Sequence, residues 1–208
     1  ERDGMGGHEL DTYDRRLAHV IFELPEREVL VSEELIRLGY SPYFVKYGRS
    51  LRFDDRLRKA EDEARKAERG LWGKAPPEHY PDYTERLRWW HKRADQVDRW
   101  RRTSDQPDHI TLGTVRAEKR LVDLVGKPVV VFGLFSRVVD TKDGTKRIAF
   151  LGHRKKQSFP LVFFDKALFD GLDRNALDSR FLEVRGVITL YRGRPQMVVE
   201  RADQISTQ

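Results

Sequence analysis

Basic side chains, with one tyrosine among them, occur in short runs through the last third of the chain. They are Arg137, Lys146 and Arg147, the run Arg154, Lys155 and Lys156, and the closing set Tyr191, Arg192 and Arg194. Guanidinium and ammonium groups bind phosphate oxygens, and an aromatic ring offers a flat face on which a nucleobase stacks. These residue types predict a surface for a polyanion, and a solvated basic loop is the alternative interpretation.

The net charge of the chain is concentrated in the same region. Residues 1–74 hold 15 basic and 16 acidic residues, and residues 75–114 hold seven of each. Residues 115–208 hold 18 Lys and Arg against 11 Asp and Glu, a net charge of +7. An asymmetry of this kind is typical of proteins that bind nucleic acid, although a basic surface also serves solubility.

Residue types that the sequence lacks exclude several kinds of chemistry. The 208 residues contain no Cys, which excludes a disulfide scaffold, a cysteine-ligated zinc site and a thiol nucleophile. The six His show no metal-ligand spacing, and no Walker loop or nucleophile elbow is present. No metal-ligating set is therefore predicted, and no apolar run approaches the 18 residues of a membrane span.

Helical spacing and strand alternation divide the chain into three parts. Apolar residues recur at helical spacing over residues 53–69, and a second helix is predicted over 83–102 after a proline-rich linker. From residue 110 onward, five short apolar strands are predicted, with a helix between the third and the fourth. This order is that of an OB-fold barrel. The predicted domains are residues 1–74, a linker over 75–109 and a basic domain over 110–208.

Three sequence blocks in the first part resemble the staphylococcal nuclease, or thermonuclease-like, family. They read DTYDRRLAHV at residues 11–20, VSEELIRLG at 31–39 and RKAEDEARKAERGLW at 58–72. The family pattern is Asp-x-Tyr-Gly-Arg-x-Leu-Ala, then Val-Asn-x-x-Leu-Val-x-x-Gly, then an Ala-Glu helix that ends in Gly-Leu-Trp. The order and the spacing of the blocks agree over about residues 11–73, roughly a third of the chain.

The resemblance implies an OB-type barrel with packed helices, and calcium-dependent hydrolysis of phosphodiesters. It carries over one phosphate-contacting residue, Arg15, and two nucleotide-binding tyrosines, Tyr13 and Tyr47. Asp14 stands where the family has Gly, which places a negative charge beside Arg15. Pairing of Arg15 with a neighbouring Asp, and packing of the tyrosines at a barrel rim, are the structural alternatives.

The resemblance leaves the other parts of the family's site unfilled. The two Asp ligands of Ca²⁺, the catalytic Glu and the second Arg belong to strands that the family places before the position of Glu1. We therefore expect the natural protein to extend upstream, or else to be a degenerate family member. Whether the chain as given is an enzyme stays open at this point.

The last part of the chain is similar to OB domains that bind nucleic acid, chiefly through its closing segment, residues 182–196. The predicted fold class is mainly β with helices (α+β): a partial nuclease-type barrel, a helical linker and a second, five-stranded OB barrel. The predicted function is nucleic-acid processing, with single-stranded DNA or RNA as partner. The alternatives are a non-catalytic binding module and a protein-interaction adaptor, the latter through the tryptophan-rich helix over 83–102.

Overall fold

The computed structural model describes residues 15, 18–74, 83–114, 116–152, 158–172, 177 and 180–206. Contacts between Cα atoms divide the chain into two compact units, residues 1–98 and residues 99–208. Helices and strands both contribute, so the fold class is α+β, as predicted. Within the described ranges, none of the helices is both long enough and apolar enough to cross a membrane. The finer domain bounds given above stay a prediction.

The first unit consists of a short hairpin and helices. Its described elements are β1 (Ile21–Glu23), β2 (Glu28–Leu30), α1 (Val31–Arg37), α2 (Asp54–Lys66) and most of α3 (Tyr83–Arg101). The strands β1 and β2 pair in antiparallel fashion. The predicted helix over 53–69 is confirmed as α2, which buries Leu57, Ala60 and Ala64 at helical spacing. Within the described residues, the strands of this unit are the two strands of this hairpin.

The core of the first unit draws on every one of these elements. Its buried residues are Leu30, Ile36, Tyr43, Val45, Phe53, Leu57, Ala60 and Ala94. Two hydrogen bonds join buried polar groups inside it. The backbone N–H of Ser50 donates to the Tyr43 hydroxyl at 2.7 Å, and the Tyr43 N–H donates to the carboxylate of Glu61 at 3.0 Å. The loop between α1 and α2 is thereby fixed to α2.

Two glycines of the family blocks lie against each other where α1 and α2 end. The N–H of Leu71 donates to the carbonyl of Gly39 at 2.9 Å. A Cβ on Gly39 would lie 2.2 Å from the Arg69 carbonyl oxygen, and one on Gly70 would lie 2.3 Å from the Gly39 oxygen. Both glycines also have positive φ angles, +75° and +49°. This backbone contact explains why the sequence has glycine at both positions.

The second unit is a closed barrel of five strands. They are β4 (Pro128–Asp140), β5 (Arg147–Leu151), β6 (Phe159–Phe163), β7 (Phe181–Tyr191) and β8 (Arg194–Val198), with helix α5 (Lys166–Asp170) between β6 and β7. The pairing runs β4-β5-β6-β8-β7 and closes from β7 back to β4. The pair β6–β8 is parallel and the other pairs of the barrel are antiparallel. Five strands with a helix between the third and the fourth is the element order that the sequence predicts.

Three small elements extend this barrel. Strand β3 (His109–Thr111) pairs in parallel with β4, helix α4 (Ala117–Asp123) follows it, and strand β9 (Ile205–Ser206) pairs with β7. The interior holds apolar side chains from all five barrel strands, such as Val131, Leu151, Leu161, Val184 and Met197. Each of these five is less than 1 % exposed, so the interior is a packed core.

Trp100, in the last turn of α3, lies in a column of stacked rings. Its indole stacks on Phe132 at 4.8 Å between centroids, and Phe132 stacks on Phe181 at 4.9 Å. The ring of His109 stacks on the indole at 4.9 Å. The indole N–H donates to the Thr111 hydroxyl at 2.7 Å. Trp100 is 1 % exposed because these rings enclose it.

Candidate nucleic-acid interface

Side chains alternate between the interior and the outside along β5. Ala149 and Leu151 belong to the buried core, so Ile148 and Phe150 point outward. The strand registers place Phe150 opposite Arg137 of β4, and Ile148 opposite Val139. Lys146 directly precedes β5, and by the same alternation its side chain also points outward. These residues of β4 and β5, together with Phe164 after β6, form an outer surface that we call the barrel face.

Two pairs of a cation and an aromatic ring mark the ends of the barrel face. The guanidinium carbon of Arg137 lies 4.2 Å from the centroid of the Phe150 ring. The Nζ of Lys146 lies 4.7 Å from the centroid of the Phe164 ring, which belongs to a residue that is 57 % exposed. Phe150 and Lys146 are four residues apart on an extended chain, a separation of about 13 Å. Each pair combines a stacking surface with a positive charge.

A bulge in β4 places Arg137 over its ring. The register between β4 and β5 shifts between Phe135 and Arg137, so Ser136 is the extra residue. The Ser136 hydroxyl donates to the carbonyl of Phe150 at 3.0 Å, which ties the bulge to β5. Between the two cation–aromatic pairs lie Val139, which is 42 % exposed, and Ile148. The middle of the barrel face is therefore apolar.

Arg147, which the sequence predicts in the same basic set, has different surroundings. Its Nε donates to Asp140 at 2.8 Å, and its guanidinium also pairs with Asp170 of α5. Lys166 lies 3.3 Å from the same Asp140 carboxylate. These hydrogen bonds raise the pKa of Arg147 and lower that of Asp140 to about 2. The guanidinium of Arg147 thus joins the end of β4 to α5.

The β7–β8 turn carries the last predicted set. Tyr191 is 56 % exposed and pairs across the turn with Arg194. The guanidinium carbon of Arg192 lies 5.4 Å from the Tyr191 ring centroid. Because Leu161 of β6 is level with Met197 of β8 in a parallel pair, this turn lies beyond the N-terminal end of β6. Lys146 and Phe164 lie at the other end of β6, so basic groups border both ends of the sheet.

The remaining predicted site residues lie elsewhere or outside the described residues. Tyr13 and the run Arg154, Lys155 and Lys156 are outside them. Arg15 is exposed and lies in neither a helix nor a strand. Tyr47 is half-buried in the first unit, where its ring makes an edge contact with Phe44 at 6.0 Å between centroids. The roles of these residues stay predictions.

Calcium ligands are not assembled by the described residues. Within those ranges, no group of three or more His, Asp or Glu side chains lies close enough together to hold a metal ion. The adjacent carboxylates of Glu33 and Glu34 are engaged instead. Arg37 pairs with both of them, and Arg56 pairs with Glu33 at 2.6 Å. The described residues therefore do not fit the Ca²⁺ ion of the family's site, and we derive no step through it.

Phe150 is the functional candidate that the sequence analysis missed. The sequence analysis predicted the strands of this domain without assigning a face to each position. The signal was present, because a strand that buries Ala149 and Leu151 must turn Phe150 to the other side. What the sequence did not contain was the bulge that brings Arg137 opposite Phe150.

Comparison with known families agrees with the sequence blocks. Residues 3–74 match the family model described as staphylococcal nuclease homologue. No curated protein matches the chain. The match covers about a third of the 208 residues and includes the two glycines that meet behind α1 and α2. Residues 3–74 of the chain are thus similar to the staphylococcal nuclease homologue family, which is nuclease-like.

Proposed function

We propose that the chain binds single-stranded nucleic acid through the barrel face. The observation that carries the proposal is the pair of cation–aromatic contacts, Arg137 on Phe150 and Lys146 on Phe164, with an apolar surface between them. Aromatic rings stack on bases and the cations neutralise phosphates, which is the usual arrangement for single strands. In OB barrels the face of the second and third strands serves this purpose, and here β5 is the second barrel strand and Phe164 follows the third.

The composition of the barrel face favours a single strand of any sequence. Bases in a duplex are stacked on each other, so protein rings reach their faces only in an unpaired strand. Val139 and Ile148 offer no hydrogen-bonding groups with which to read base edges. We therefore expect weak sequence preference, and binding of both DNA and RNA. The basic groups of the β7–β8 turn, Arg192 and Arg194, continue the positive potential beyond the face.

Phosphodiester hydrolysis is the second candidate function, and the match of residues 3–74 to a nuclease-like family favours it. In this proposal Arg15 contacts a phosphate, and Tyr13 and Tyr47 lie beside the nucleotide, as the family motif implies. Because the described carboxylates do not assemble a calcium site, this proposal assigns these three residues to substrate binding and no step to a metal ion.

The binding proposal is tested by fluorescence anisotropy with a labelled single-stranded oligonucleotide. Arg137→Gln and Phe150→Ala are compared with Arg185→Gln, which removes the same charge from the outside of β7, opposite Val130. Loss of one stacking ring is expected to weaken binding about tenfold, because base–aromatic stacking contributes about 1–3 kcal/mol. Equal affinities for the Phe150→Ala variant and the wild type would contradict the proposal.

The hydrolysis proposal is tested with the same oligonucleotide on a denaturing gel, in calcium and in EDTA. Calcium-dependent cleavage that Arg15→Ala abolishes, with unchanged thermal unfolding, would support it. An oligonucleotide that is bound but stays intact in calcium would leave the chain as a binding module. A chain that neither binds nor cleaves would favour the protein-interaction adaptor.

A further inference from the structure

A groove follows the outside of β7 in the second unit and shares no residue with the barrel face. Its first half has a volume of about 600 Å³ and lies between the end of α3, with the segment after it, and the strands β3, β4 and β7. Its second half, of about 660 Å³, lies between β7 and the residues that follow β8. Arg185 and Gly186 line both halves, so the two adjoin. From Glu183 to Thr189 this β7 groove extends for about 20 Å.

The first half of the β7 groove has a floor that neighbouring side chains fix. The strand registers place His109, Val130 and Arg185 side by side across β3, β4 and β7. The His109 ring stacks on the indole of Trp100 at 4.9 Å between centroids. Its Nδ1 lies 2.9 Å from the carboxylate of Asp108. The imidazole is therefore held from two sides.

Gln204 closes the floor of the second half. Its amide nitrogen donates to the carbonyl of Arg185 at 3.0 Å, and its amide oxygen accepts from the N–H groups of Glu200 and Arg201 at 2.8 and 3.0 Å. A Cβ on Gly186 would lie 3.1 Å from the Gln204 Nε2, so the glycine leaves room for this side chain. Since β4 pairs with one edge of β7 and Gln204 occupies this part of the other, a ligand here meets side chains and no free strand edge.

Several charged side chains of the β7 groove are unpaired. Those that form neither an ion pair nor a side-chain hydrogen bond with another residue, as far as the structure describes the chain, are Arg99, Glu183, Arg185 and Glu200. Asp108 is hydrogen bonded to His109, and Arg201 pairs with Asp203 at 3.0 Å. The unpaired groups of the first half are thus two guanidinium groups and one carboxylate. The second half adds one unpaired carboxylate, so the charge changes from positive to negative along β7.

We propose that the β7 groove binds an extended peptide whose acidic residues lie beside Arg99 and Arg185 and whose lysine lies beside Glu200. An extended chain of six residues spans about 20 Å, which is the length of the groove along β7. Guanidinium groups bind carboxylates through paired hydrogen bonds, and a carboxylate accepts from an ammonium group. A nucleic-acid strand carries charge of one sign and would be repelled by Glu183 and Glu200, so the mixed charges favour a peptide. The site goes beyond the nucleic-acid binding proposed for the barrel face.

The test is fluorescence anisotropy of the full chain with an end-blocked peptide of two aspartates, two valines and two lysines in that order, labelled with a fluorophore of zero net charge. Because the peptide has no net charge, the +6 charge of the chain does not attract it as a whole. A matched peptide of the same composition, in which aspartate and lysine alternate, places opposite charges side by side. It is expected to bind at least about tenfold more weakly, since its charges do not follow those of the groove.

Two variants remove charge from the two halves of the groove. Arg185→Gln and Glu200→Gln are each expected to weaken binding of the first peptide about tenfold, because each removes a charge-assisted contact. The matched controls are Lys119→Gln and Glu118→Gln, at exposed positions of α4 outside the groove. Both are expected to bind the peptide as the wild type does.

Peptide-induced ¹H–¹⁵N shift changes in the wild-type chain map the site without any variant, and they are expected at residues 183–187 and 198–204. No binding, equal affinities for the two peptides, or shift changes confined to other residues would overturn the proposal. Displacement of the peptide by a thymidine hexanucleotide that shifts the same residues would assign the groove to a nucleic-acid strand, and would overturn it too. These results are independent of the barrel face, because Arg185→Gln is expected to weaken peptide binding and to leave oligonucleotide binding unchanged.

Discussion

Arg137 and Arg147 are neighbours across the first hairpin of the barrel, yet their guanidinium groups have different roles. Arg137 lies over an outward aromatic ring, where a phosphate can approach it. Arg147 is 14 % exposed and is held by Asp140 and Asp170. A positive charge that two carboxylates already neutralise adds little attraction for a strand. At the residue scale, the basic residues therefore separate into those that bind and those that hold the fold.

The pairing of Asp140 with Arg147 and Lys166 predicts a dependence of stability on pH. Hydrogen bonds from Arg147 and Lys166 lower the pKa of Asp140 from its ordinary 3.8 to about 2 in the folded chain. A lowered folded pKa stabilises the native state above pH 3.8, and the stabilisation is lost as the pH falls toward 2. Thermal unfolding of Asp140→Asn and of the wild type is expected to differ most above pH 4 and to converge near pH 2.

Asp203, an exposed acid that pairs with Arg201, provides the matched control as Asp203→Asn. Its difference from the wild type is expected to stay small throughout the same pH range. A constant difference between Asp140→Asn and the wild type from pH 7 to pH 2 would contradict the prediction.

Single residues also show where prediction from the sequence ends. The adjacent Phe163 and Phe164 are 0 % and 57 % exposed, on opposite sides of the chain. Alternation suffices for that distinction. The contrast between Arg137 and Arg147 needed tertiary information, because Asp170 lies 23 residues after Arg147 and meets it only when α5 packs on the barrel.

At the scale of elements, the contact between Gly39 and Gly70 fixes the end of α1 against the end of α2. A methyl group at either position meets a carbonyl oxygen and must also adopt a positive φ. Gly39→Ala and Gly70→Ala are each expected to lower the free energy of unfolding by at least about 2 kcal/mol. Urea denaturation of each variant measures this loss.

Gly144 distinguishes the cost of the positive φ angle from the cost of the steric clash. Its φ is +67°, but a Cβ there would meet nothing within 4 Å. Gly144→Ala is expected to cost only about 1 kcal/mol, the cost of the backbone conformation alone. A loss at Gly39→Ala no larger than the loss at Gly144→Ala would show that the close approach of the two helix ends is not important.

The last turn of α3 is joined to the stacked rings of the second unit through Trp100. Removal of a fully buried indole leaves a cavity, so Trp100→Ala is expected to lower the free energy of unfolding by about 3–5 kcal/mol. Trp100→Phe retains the stacking on Phe132 and loses the hydrogen bond to Thr111, with an expected cost of about 1–3 kcal/mol. Denaturant unfolding tests whether Trp100→Ala loses more unfolding free energy than Trp100→Phe. Equal losses for the two variants would contradict the assigned role of the stacked rings.

Elements with a strong local signal were predicted correctly, and the smallest ones were not. The barrel strands alternate clearly, and an Asp-Gly pair at residues 143–144 marks the first hairpin. Strands β3 and β9 have three and two residues, which are too few to show an alternation of apolar and polar side chains. They form because β4 and β7 offer free backbone groups beside their first halves, which is a property of the assembled sheet.

At the scale of the whole molecule, the charge asymmetry sets the salt dependence of binding. The +7 charge of residues 115–208 matches the location of the barrel face. Three phosphate contacts, by Arg137, Lys146 and Arg194, predict that the logarithm of affinity falls with the logarithm of salt with a slope of about −2. Arg137→Gln is expected to reduce the slope by about 0.7. Anisotropy titrations at several salt concentrations measure it, and a slope near zero would exclude phosphate contacts.

The central claim, that a single strand lies on the barrel face, is tested most directly by ¹H–¹⁵N NMR of the full chain titrated with a short unlabelled single-stranded oligonucleotide. The account predicts that the largest shift changes occur at Arg137, Lys146, Phe150 and Phe164, while Arg185 on the outside of β7 changes little. Saturable binding whose shift changes avoid the barrel face, or the absence of any change at high oligonucleotide concentration, would contradict the account.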